Sequence, residues 1–167
     1  LAMVEHQMTG RGKLVEVSLI DAAVASLANQ ATNYLIGGRI PGKQGSAHPN
    51  IAPYGEIYLT ADGYEIMLAV GTDRQFAELI SILEIGDTIR SMDLSTNVSR
   101  VKNRDTLKTV LESAIRNFTA AELMERLESA KIPAGIVRTV PEALEDPALR
   151  PMILVADGFR GVRTFAS

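Results

Sequence analysis

The sequence predicts an α+β fold in which helices pack on a small, mainly antiparallel sheet. Two runs of alternating apolar and polar residues flank Asp62-Gly63, a pair of residues typical of hairpin turns. Helix-capping patterns begin at Ser18, Thr72 and Thr119, and each precedes a helix-like segment. Of the 167 residues, 46% are hydrophobic, so we expect a folded domain with its own core.

The first 38 residues predict a helix end, a strand and a second helix. The opening segment reads as the end of a helix that stops at Gly10 and Gly12. Residues 13–19 alternate, imperfectly, between apolar and polar side chains, which indicates a strand. The Ala-rich run from Ala22 to Gly37 predicts a helix that is apolar on most faces, and such a helix is expected to be buried between other elements.

Residues 39–54 predict a long loop, because they contain three prolines and two glycines. Loops of this length without secondary structure are usually functional or disordered. Beyond the loop, the pattern predicts strands at 56–60 and 64–70, helices after Thr72, around Leu107–Ile115 and after Thr119, a strand at 136–140, a short helix from Pro141, and tail strands at 152–156 and 161–166.

Composition argues against several classes of function. The net charge is −3 and both signs are mixed along the chain, so no basic surface for nucleic acid is predicted. The chain has no cysteine and two histidines, which argues against disulfides and zinc sites. No apolar run reaches the ~20 residues that a membrane span needs, and the N-terminus lacks a signal-peptide pattern. We therefore expect a cytoplasmic protein without a nucleic-acid, membrane or metal partner.

The Pro-rich loop contains the most distinctive motif of the chain, GSAHPNIAPYG at residues 45–55. Five further segments accompany it, namely TGRGKLVEVSLIDAA (9–23), TADGYEIMLAVGTDRQF (60–76), NRDTL (103–107), IPAGIV (132–137) and EALEDP (142–147). Together and in this order they resemble the family III (CaiB/BaiF-type) CoA-transferases, a family that also includes formyl-CoA transferase and α-methylacyl-CoA racemase relatives. Ser46 stands where the family motif often has Asn, and Lys13 stands where it has Gln.

The resemblance implies an enzyme that moves CoA between carboxylic acids through an aspartyl-CoA intermediate. Coenzyme A or an acyl-CoA is then a substrate, and no other cofactor is expected. Family subunits have a large domain, made from both chain ends, and a small central domain, and two subunits interlock. On this basis residues 1–38 correspond to a segment of the large domain, residues 39–150 to the small domain, and residues 151–167 to a tail that returns towards the large domain. A homodimer is expected.

In the family, the nucleophilic aspartate lies upstream of the motif that begins here at Thr9. Its position would therefore fall before residue 1, and we expect no catalytic residue in this chain and no activity from the chain alone. Whether the chain is a natural product, a cloning product or a proteolytic remnant stays open. The alternatives are a non-catalytic module that binds or self-assembles, and part of a 2-methylacyl-CoA racemase, whose proton-transfer residues also lie upstream.

The resemblance also indicates site residues, because the matching loop in relatives closes over the acyl site. His48 can donate or accept a hydrogen bond there, although a purely structural bond to the loop backbone is favoured over proton transfer. Arg39 and Lys43 flank the loop and could attract the phosphates of CoA, or simply be solvated. The residues expected to line the site are Gly45, Ser46, His48, Asn50 and Tyr54.

Two further expectations concern the loop and the acidic residues. Residues Gly42 to Asn50 are predicted to form a mobile lid. Four aspartates are interpreted as capping or turn residues and not as nucleophiles: Asp21, Asp62, Asp73 and Asp146.

Overall fold

The structure, a computed structural model, describes residues 1–43, 45–156 and 158–163. The chain divides into two compact units, Leu1–Lys43 and Gln44–Ser167. It contains helices and small antiparallel sheets, so the predicted α+β class is confirmed. Among the described residues, no helix is long and apolar enough to cross a bilayer.

The first unit contains three short helices: α1 (Ala2–Thr9), α2 (Leu19–Ser26) and α3 (Ala28–Leu35). The predicted stop of the opening helix is confirmed at Gly10, whose φ of 68° is the left-handed conformation that glycine adopts without strain. The predicted cap is also confirmed, because the Ser18 hydroxyl accepts the backbone N–H of Asp21 at 3.3 Å. This cap begins α2 at the residue after Ser18.

Two predictions for this unit were wrong. Residues 13–19 do not form a strand, because a strand requires a neighbour to bond its backbone, and residues 1–43 contain no second extended segment paired with it. The helix predicted from Ala22 to Gly37 begins earlier and is interrupted at Leu27. There the backbone switches to shorter-range bonds, from Leu27 N–H to Val24 O and from Gln30 N–H to Leu27 O.

The second unit is built around a three-stranded antiparallel sheet in the order β1 (Tyr54–Leu59), β2 (Glu65–Ala69) and β3 (Ala134–Ile136). The hairpin predicted at Asp62-Gly63 is confirmed. Alternate residues of β1 and β2 point into the core, as the period of two requires. On β1 this places Glu56 and Tyr58 inside, although Glu56 carries a carboxylate.

Five helices follow the hairpin: α4 (Asp73–Ile82), α5 (Gly86–Ile89), α6 (Asn97–Lys102), α7 (Arg104–Ile115) and α8 (Ala120–Ser129). The capping boxes predicted at Thr72 and Thr119 are confirmed, and the structure adds others at Thr96 and Thr139. Buried apolar residues recur at helical spacing on the long helices, as at Leu107, Leu111 and Ala114 of α7, and form one core with the sheet.

The last part of the chain forms α9 (Val140–Glu145), a 3₁₀ helix (Pro147–Met152) and a hairpin of β4 (Ile153–Ala156) and β5 (Phe159–Val162). β3 begins before the predicted range of 136–140 and overlaps it at Ile136, where its pairing with β2 ends, because Thr139 already caps α9. β5 likewise begins before the predicted 161–166, and residues 164–166 lie outside the described residues.

Candidate functional site: a loop held by side chains from two helices

The loop from Gly45 to Gly55 is closed on itself by backbone contacts. The backbone N–H of His48 donates to the carbonyl of Tyr54 at 2.8 Å. Gly55 has a φ of 75°, and a Cβ built there would lie 2.3 Å from the carbonyl oxygen of Ser46. Glycine is therefore required at position 55, both for its backbone conformation and for the close approach of the opposite side of the loop.

Asn97, at the start of α6, holds the middle of the loop. Its amide nitrogen donates to the carbonyl of Asn50 at 2.7 Å, and its amide oxygen accepts the N–H of Ala52 at 3.1 Å. One side chain thus satisfies a donor and an acceptor of an irregular segment that has no strand neighbour there.

Arg100, on the same helix, is fully buried and binds the loop from the core side. Its Nε donates to the carbonyl of Ala52 at 2.9 Å, and Nη1 donates to the carbonyl of Leu94 at 3.1 Å. Nη2 pairs with the carboxylate of Asp73 at 2.6 Å, and the guanidinium lies 4.4 Å from the centre of the Phe76 ring. The buried charge is therefore paired and hydrogen-bonded, as burial of an ion requires.

Arg104, the first residue of α7, binds the loop at two further carbonyls. Nη2 donates to the carbonyl oxygens of His48 at 2.6 Å and Ile51 at 3.0 Å, while Nη1 pairs with the carboxylate of Glu56. The other oxygen of Glu56 accepts the Tyr58 hydroxyl at 2.5 Å. Burial, together with the negative charge of Glu56, raises the pKa of Tyr58 far above its ordinary value, so the phenol stays a donor.

The geometry around His48 shows which of its ring nitrogens accepts a hydrogen bond. The ring nitrogen Nδ1 accepts the backbone N–H of Asn50 at 3.2 Å, so the neutral ring carries its proton on Nε2. The ring also meets the Tyr54 ring edge-on, with 5.6 Å between the two centroids. The structural bond expected as the alternative role of His48 is therefore present, while its place in an acyl-site wall stays a prediction.

The structure brings the other predicted loop residues together without assigning their roles. Gly45, with a φ of 61°, and Ser46 are exposed next to the Gly55 turn, and Asn50 and Tyr54 are exposed beside His48. The predicted lid, Gly42 to Asn50, contains Gln44, which lies outside the described residues. Arg104 binds the carbonyl of His48 and Asn97 binds the carbonyl of Asn50 at the end of that range, and the lid motion of Gly42 to Asn50 stays a prediction.

Arg39 and Lys43 belong to the first unit, where both side chains are exposed. The backbone N–H of Arg39 donates to the carbonyl of Asn33 at 3.1 Å, which extends the end of α3. A contact of either cation with CoA phosphates stays a prediction. Among the described residues, no group of three or more histidine and acidic side chains is placed to hold a metal ion.

Three of the four aspartates accept hydrogen bonds or pair with arginine. The Thr60 hydroxyl, 2.6 Å away, holds the pKa of Asp62 below its usual value, and the N–H of Ala120 adds a second bond. Arg138 does the same for the pKa of Asp146 from 2.6 Å. Asp73 pairs with buried Arg100, a role beyond the helix-end charge expected from sequence.

Sequence reasoning missed the side chains that hold the loop: Asn97, Arg100 and Arg104. Asn97 and Arg100 lie three residues apart on α6, and Arg104 begins α7 after the helix break at Asn103. Arg104 lies inside the recognised NRDTL segment, but polar residues at helical spacing ordinarily indicate a solvated face. The sequence carries no local signal for this role, because the loop carbonyls that the two arginines bind are about 50 residues away in the chain.

The chain is similar to known proteins over most of its length. The family model described as CoA-transferase family III matches residues 1–164. The succinate–glutarate CoA-transferase of Agrobacterium fabrum is 36% identical over 98% of this chain and 42% of its own length. The human succinyl-CoA:glutarate CoA-transferase is 30% identical over 87% of this chain and 33% of its own length.

Solved structures share the fold. A CAIB/BAIF family protein from Brucella suis superposes with a TM-score of 0.72 at 35% identity, over 99% of this chain and 44% of the other. A Mycobacterium tuberculosis protein superposes with a TM-score of 0.78 at 23% identity, over 99% of this chain and 42% of the other, and shows the fold alone. The chain spans less than half the length of each of these four relatives.

Proposed function

The chain belongs to CoA-transferase family III, and from this membership we propose that it forms part of an enzyme that transfers CoA between carboxylic acids. The identity with two curated CoA-transferases supports transfer over the racemase alternative. Because the chain spans less than half of each relative, the activity is proposed for the complete gene product that contains it.

The proposed reaction passes through an aspartyl-CoA thioester. An aspartate carboxylate attacks the thioester carbonyl of the donor, which forms a mixed anhydride and releases CoA thiolate. The thiolate attacks the aspartyl carbonyl, which releases the donor acid as a carboxylate and leaves CoA on the enzyme. The acceptor carboxylate then reverses these steps, which regenerates the aspartate and yields the new acyl-CoA. The steps balance with CoA as a substrate and no redox cofactor.

We place the nucleophilic aspartate outside this chain. Asp62 and Asp146 accept backbone N–H groups at a helix start and a turn, and Asp73 neutralises a buried arginine. Each of these three carboxylates is already bound by groups that hold a helix start, a turn or a buried guanidinium in place. These contacts support a structural role for each of the three.

The observation that supports an acyl site in this chain is the loop that Asn97, Arg100 and Arg104 bind. Nε2 of the His48 ring and the hydroxyls of Ser46 and Tyr54 are potential donors on the half-buried and exposed part of the loop. Acyl transfer builds negative charge on carbonyl oxygens, which donors in a fixed position stabilise best. We propose that the loop forms one wall of the acyl site, with Gly45 allowing close approach of the substrate.

Short dicarboxylic acids are the proposed acyl groups. The names of both curated relatives pair glutarate with succinate or with succinyl-CoA. A second carboxylate would need donors or cations in the wall, and the loop offers hydroxyl and imidazole donors for it.

A specific observation also favours self-association. No side chain in residues 1–43, a range the structure describes in full, is buried, although α2 and α3 carry many apolar residues. We propose that a second copy covers this surface in a homodimer, since exposed apolar patches of this kind mark interaction sites. Self-assembly without catalysis is the second candidate function.

The test is an exchange assay on the complete gene product with succinyl-CoA and glutarate. We expect glutaryl-CoA in the product analysis, and a protein adduct with the mass of CoA less one water after incubation with acyl-CoA alone. A monocarboxylic acceptor such as acetate is the matched control and should react more slowly. The isolated 167-residue chain should show neither turnover nor adduct.

Two results would contradict the proposal. Saturable turnover by the isolated chain would show that the nucleophile lies within it. Absence of any exchange or adduct from the complete gene product, together with a stable homodimer, would favour the assembly module over the enzyme.

A further inference from the structure

Arg104 joins three parts of the second unit through one guanidinium group. Nη1 pairs with Glu56 on β1, and Nη2 donates to the carbonyls of His48 and Ile51 in the loop. The side chain is 20% exposed, whereas that of Glu56 is 4% exposed. The loop is therefore bound to the sheet through a partly buried ion pair and not through solvent-exposed contacts.

Glu56 fixes Arg104 from the core side. One carboxylate oxygen of Glu56 binds Arg104 and the other accepts the hydroxyl of Tyr58, which is itself 1% exposed. If Arg104 rotated away, the Glu56 charge would remain buried beside Tyr58 without its cation, which is strongly unfavourable. Glu56 therefore holds the guanidinium of Arg104 in one position. The guanidinium in turn holds the loop carbonyls of His48 and Ile51 in place.

The position of Arg104 determines how the His48 backbone is held. Arg104 binds the carbonyl of His48, and the N–H of His48 binds the carbonyl of Tyr54. With both backbone groups held, the Cβ of His48 has a fixed direction, and Nδ1 meets the N–H of Asn50 at 3.2 Å. This last bond selects the ring form that carries its proton on Nε2.

We propose that Arg104 is a positioning residue that acts through His48. By fixing the loop backbone, it keeps the imidazole in the Nε2–H form and directs that donor at the acyl or carboxylate oxygen of the substrate. The inference rests on the proposed function for its substrate, but the link from Arg104 to the His48 ring stands on the contacts alone.

The chemistry of the contact requires arginine. Glu56 and the loop carbonyls are bound by different nitrogens, Nη1 and Nη2, which the guanidinium holds apart in one rigid plane. Lysine at position 104 would retain the charge beside Glu56 but could not span all three acceptors from a single nitrogen. Arg104→Lys thus tests the hydrogen-bond geometry of the guanidinium while the positive charge beside Glu56 is retained.

The first experiment observes the ring directly. The chain contains two histidines, so long-range ¹H–¹⁵N spectra of the ¹⁵N-histidine-labelled chain contain the signals of His48 and, as an internal reference, of His6. We expect the Nε2–H form for His48 in the native chain and a mixture of both ring forms in Arg104→Lys and Arg104→Gln. The His6 signals should stay unchanged.

The matched control is Leu127→Ala, which removes buried apolar volume from α8 without touching the loop. It should lower the melting temperature yet leave the His48 ring form native. The proposal is overturned if folded Arg104 variants keep the native ring form, or if Leu127→Ala changes it equally. Failure of both Arg104 variants to fold would assign Arg104 to stability alone and would also overturn it.

The second experiment measures turnover of the complete gene product. We expect Arg104→Lys to lower kcat roughly 10- to 100-fold, with a smaller change in KM, because misplacement of a group at the reacting centre has effects of this size. Adding His48→Ala to Arg104→Lys should cause little further loss, since both changes remove the same interaction. Independent, multiplicative losses would contradict action through His48.

The spectra and the turnover assay test the role of Arg104 and the proposed enzyme activity separately. A gene product without CoA exchange would refute the proposed enzyme, while the spectra would still decide whether Arg104 sets the His48 ring form. Normal exchange with an unperturbed His48 ring in the Arg104 variants would refute the inference and leave the enzyme in place.

Discussion

At Gly55 the identity of one residue controls the geometry of the whole loop. Its φ of 75° and the 2.3 Å approach of the Ser46 carbonyl to a built Cβ leave no room for a side chain. The neighbour is backbone and not the flexible end of a side chain, so the contact cannot relax cheaply. We therefore expect Gly55→Ala to lower the free energy of unfolding by about 2–4 kcal/mol, from backbone strain and overpacking together.

Gly86→Ala is the matched control for that measurement by urea denaturation. Gly86 begins α5, and a Cβ built there meets nothing within 4 Å. Alanine favours a helix over glycine, so this variant should be neutral or slightly more stable. Equal stability of Gly55→Ala and the native chain would contradict the steric account of the loop.

The second prediction concerns Tyr58 and the free energy of unfolding at alkaline pH. Burial and the Glu56 carboxylate both favour the neutral phenol, so the folded pKa of Tyr58 lies above its unfolded value. Below pH ~10 both states keep the proton, and the contribution of Tyr58 to stability is fully present. Above that pH the unfolded state releases the proton while the folded state retains it, so the free energy of unfolding falls.

The expected slope from Tyr58 is at most about 1.4 kcal/mol per pH unit above pH ~10. Urea denaturation of the native chain and of Tyr58→Phe between pH 8 and 11 measures it. The variant should be less stable near pH 8, because Glu56 loses the donor at 2.5 Å, and should depend less steeply on pH. Parallel curves would contradict a neutral, buried Tyr58.

The sequence allowed the residues of the loop itself to be predicted, but not the residues of other elements that bind the loop. His48 and Gly45 lie in a distinctive motif, so their position on a functional loop could be expected. Arg100 and Arg104 could not be identified in this way, because their partners Ala52, His48 and Glu56 are about 50 residues away in the chain. Burial of an arginine depends on such distant acceptors, which local spacing does not reveal.

Elements were predictable where their cause is local. The Asp62-Gly63 hairpin and the boxes at Thr72 and Thr119 depend on neighbouring residues, and each formed as expected. The segment 13–19 has the alternation of a strand but no partner within its unit. A strand is a property of a pair of segments, so one segment's pattern is insufficient to predict it.

The element-scale prediction concerns the connection that Arg100 makes between α4, α6 and the loop. Arg100→Met should lower the free energy of unfolding by about 3 kcal/mol, because the carbonyls of Ala52 and Leu94 lose their donor. Asp73 adds little to this figure, since its side chain is 60% exposed and water can solvate it.

Arg116→Met is the control, because Arg116 is exposed at the end of α7. It should change stability by less than about 0.5 kcal/mol. Thermal and urea denaturation of both variants decide the matter. A loss from Arg100→Met no larger than that of the control would mean that the buried guanidinium contributes no more than the apolar side chain that replaces it.

At the scale of the whole molecule, the buried apolar residues are confined to one part of the sequence. Every buried apolar side chain among the described residues lies between Ala52 and Ile132. Residues 1–43 contribute none, although their apolar side chains include Leu14, Val17, Ile20, Val24, Leu27 and Leu35. The overall hydrophobic content predicted a core but could not show that the first quarter of the chain is absent from it, because composition carries no information on position.

This distribution leads to the last prediction. Val24, Leu27 and Leu35 are 59%, 53% and 77% exposed, which leaves an apolar surface along α2 and α3. Burial of such surface is favourable by about 25 cal/mol per Å², although the loss of rotational and translational freedom on association offsets much of it. A twofold dimer buries the same surface on both copies and closes on itself, so further growth is not required.

We expect the chain to sediment as a dimer at micromolar concentration. Leu27→Asp or Leu35→Asp should yield monomer or aggregate, because a carboxylate cannot be buried in an apolar interface without a partner. Ser113→Asp, on the exposed face of α7, is the matched control and should remain dimeric. A well-folded monomer at high micromolar concentration would contradict self-association and would mean that this surface tolerates water or is covered by residues of the same chain.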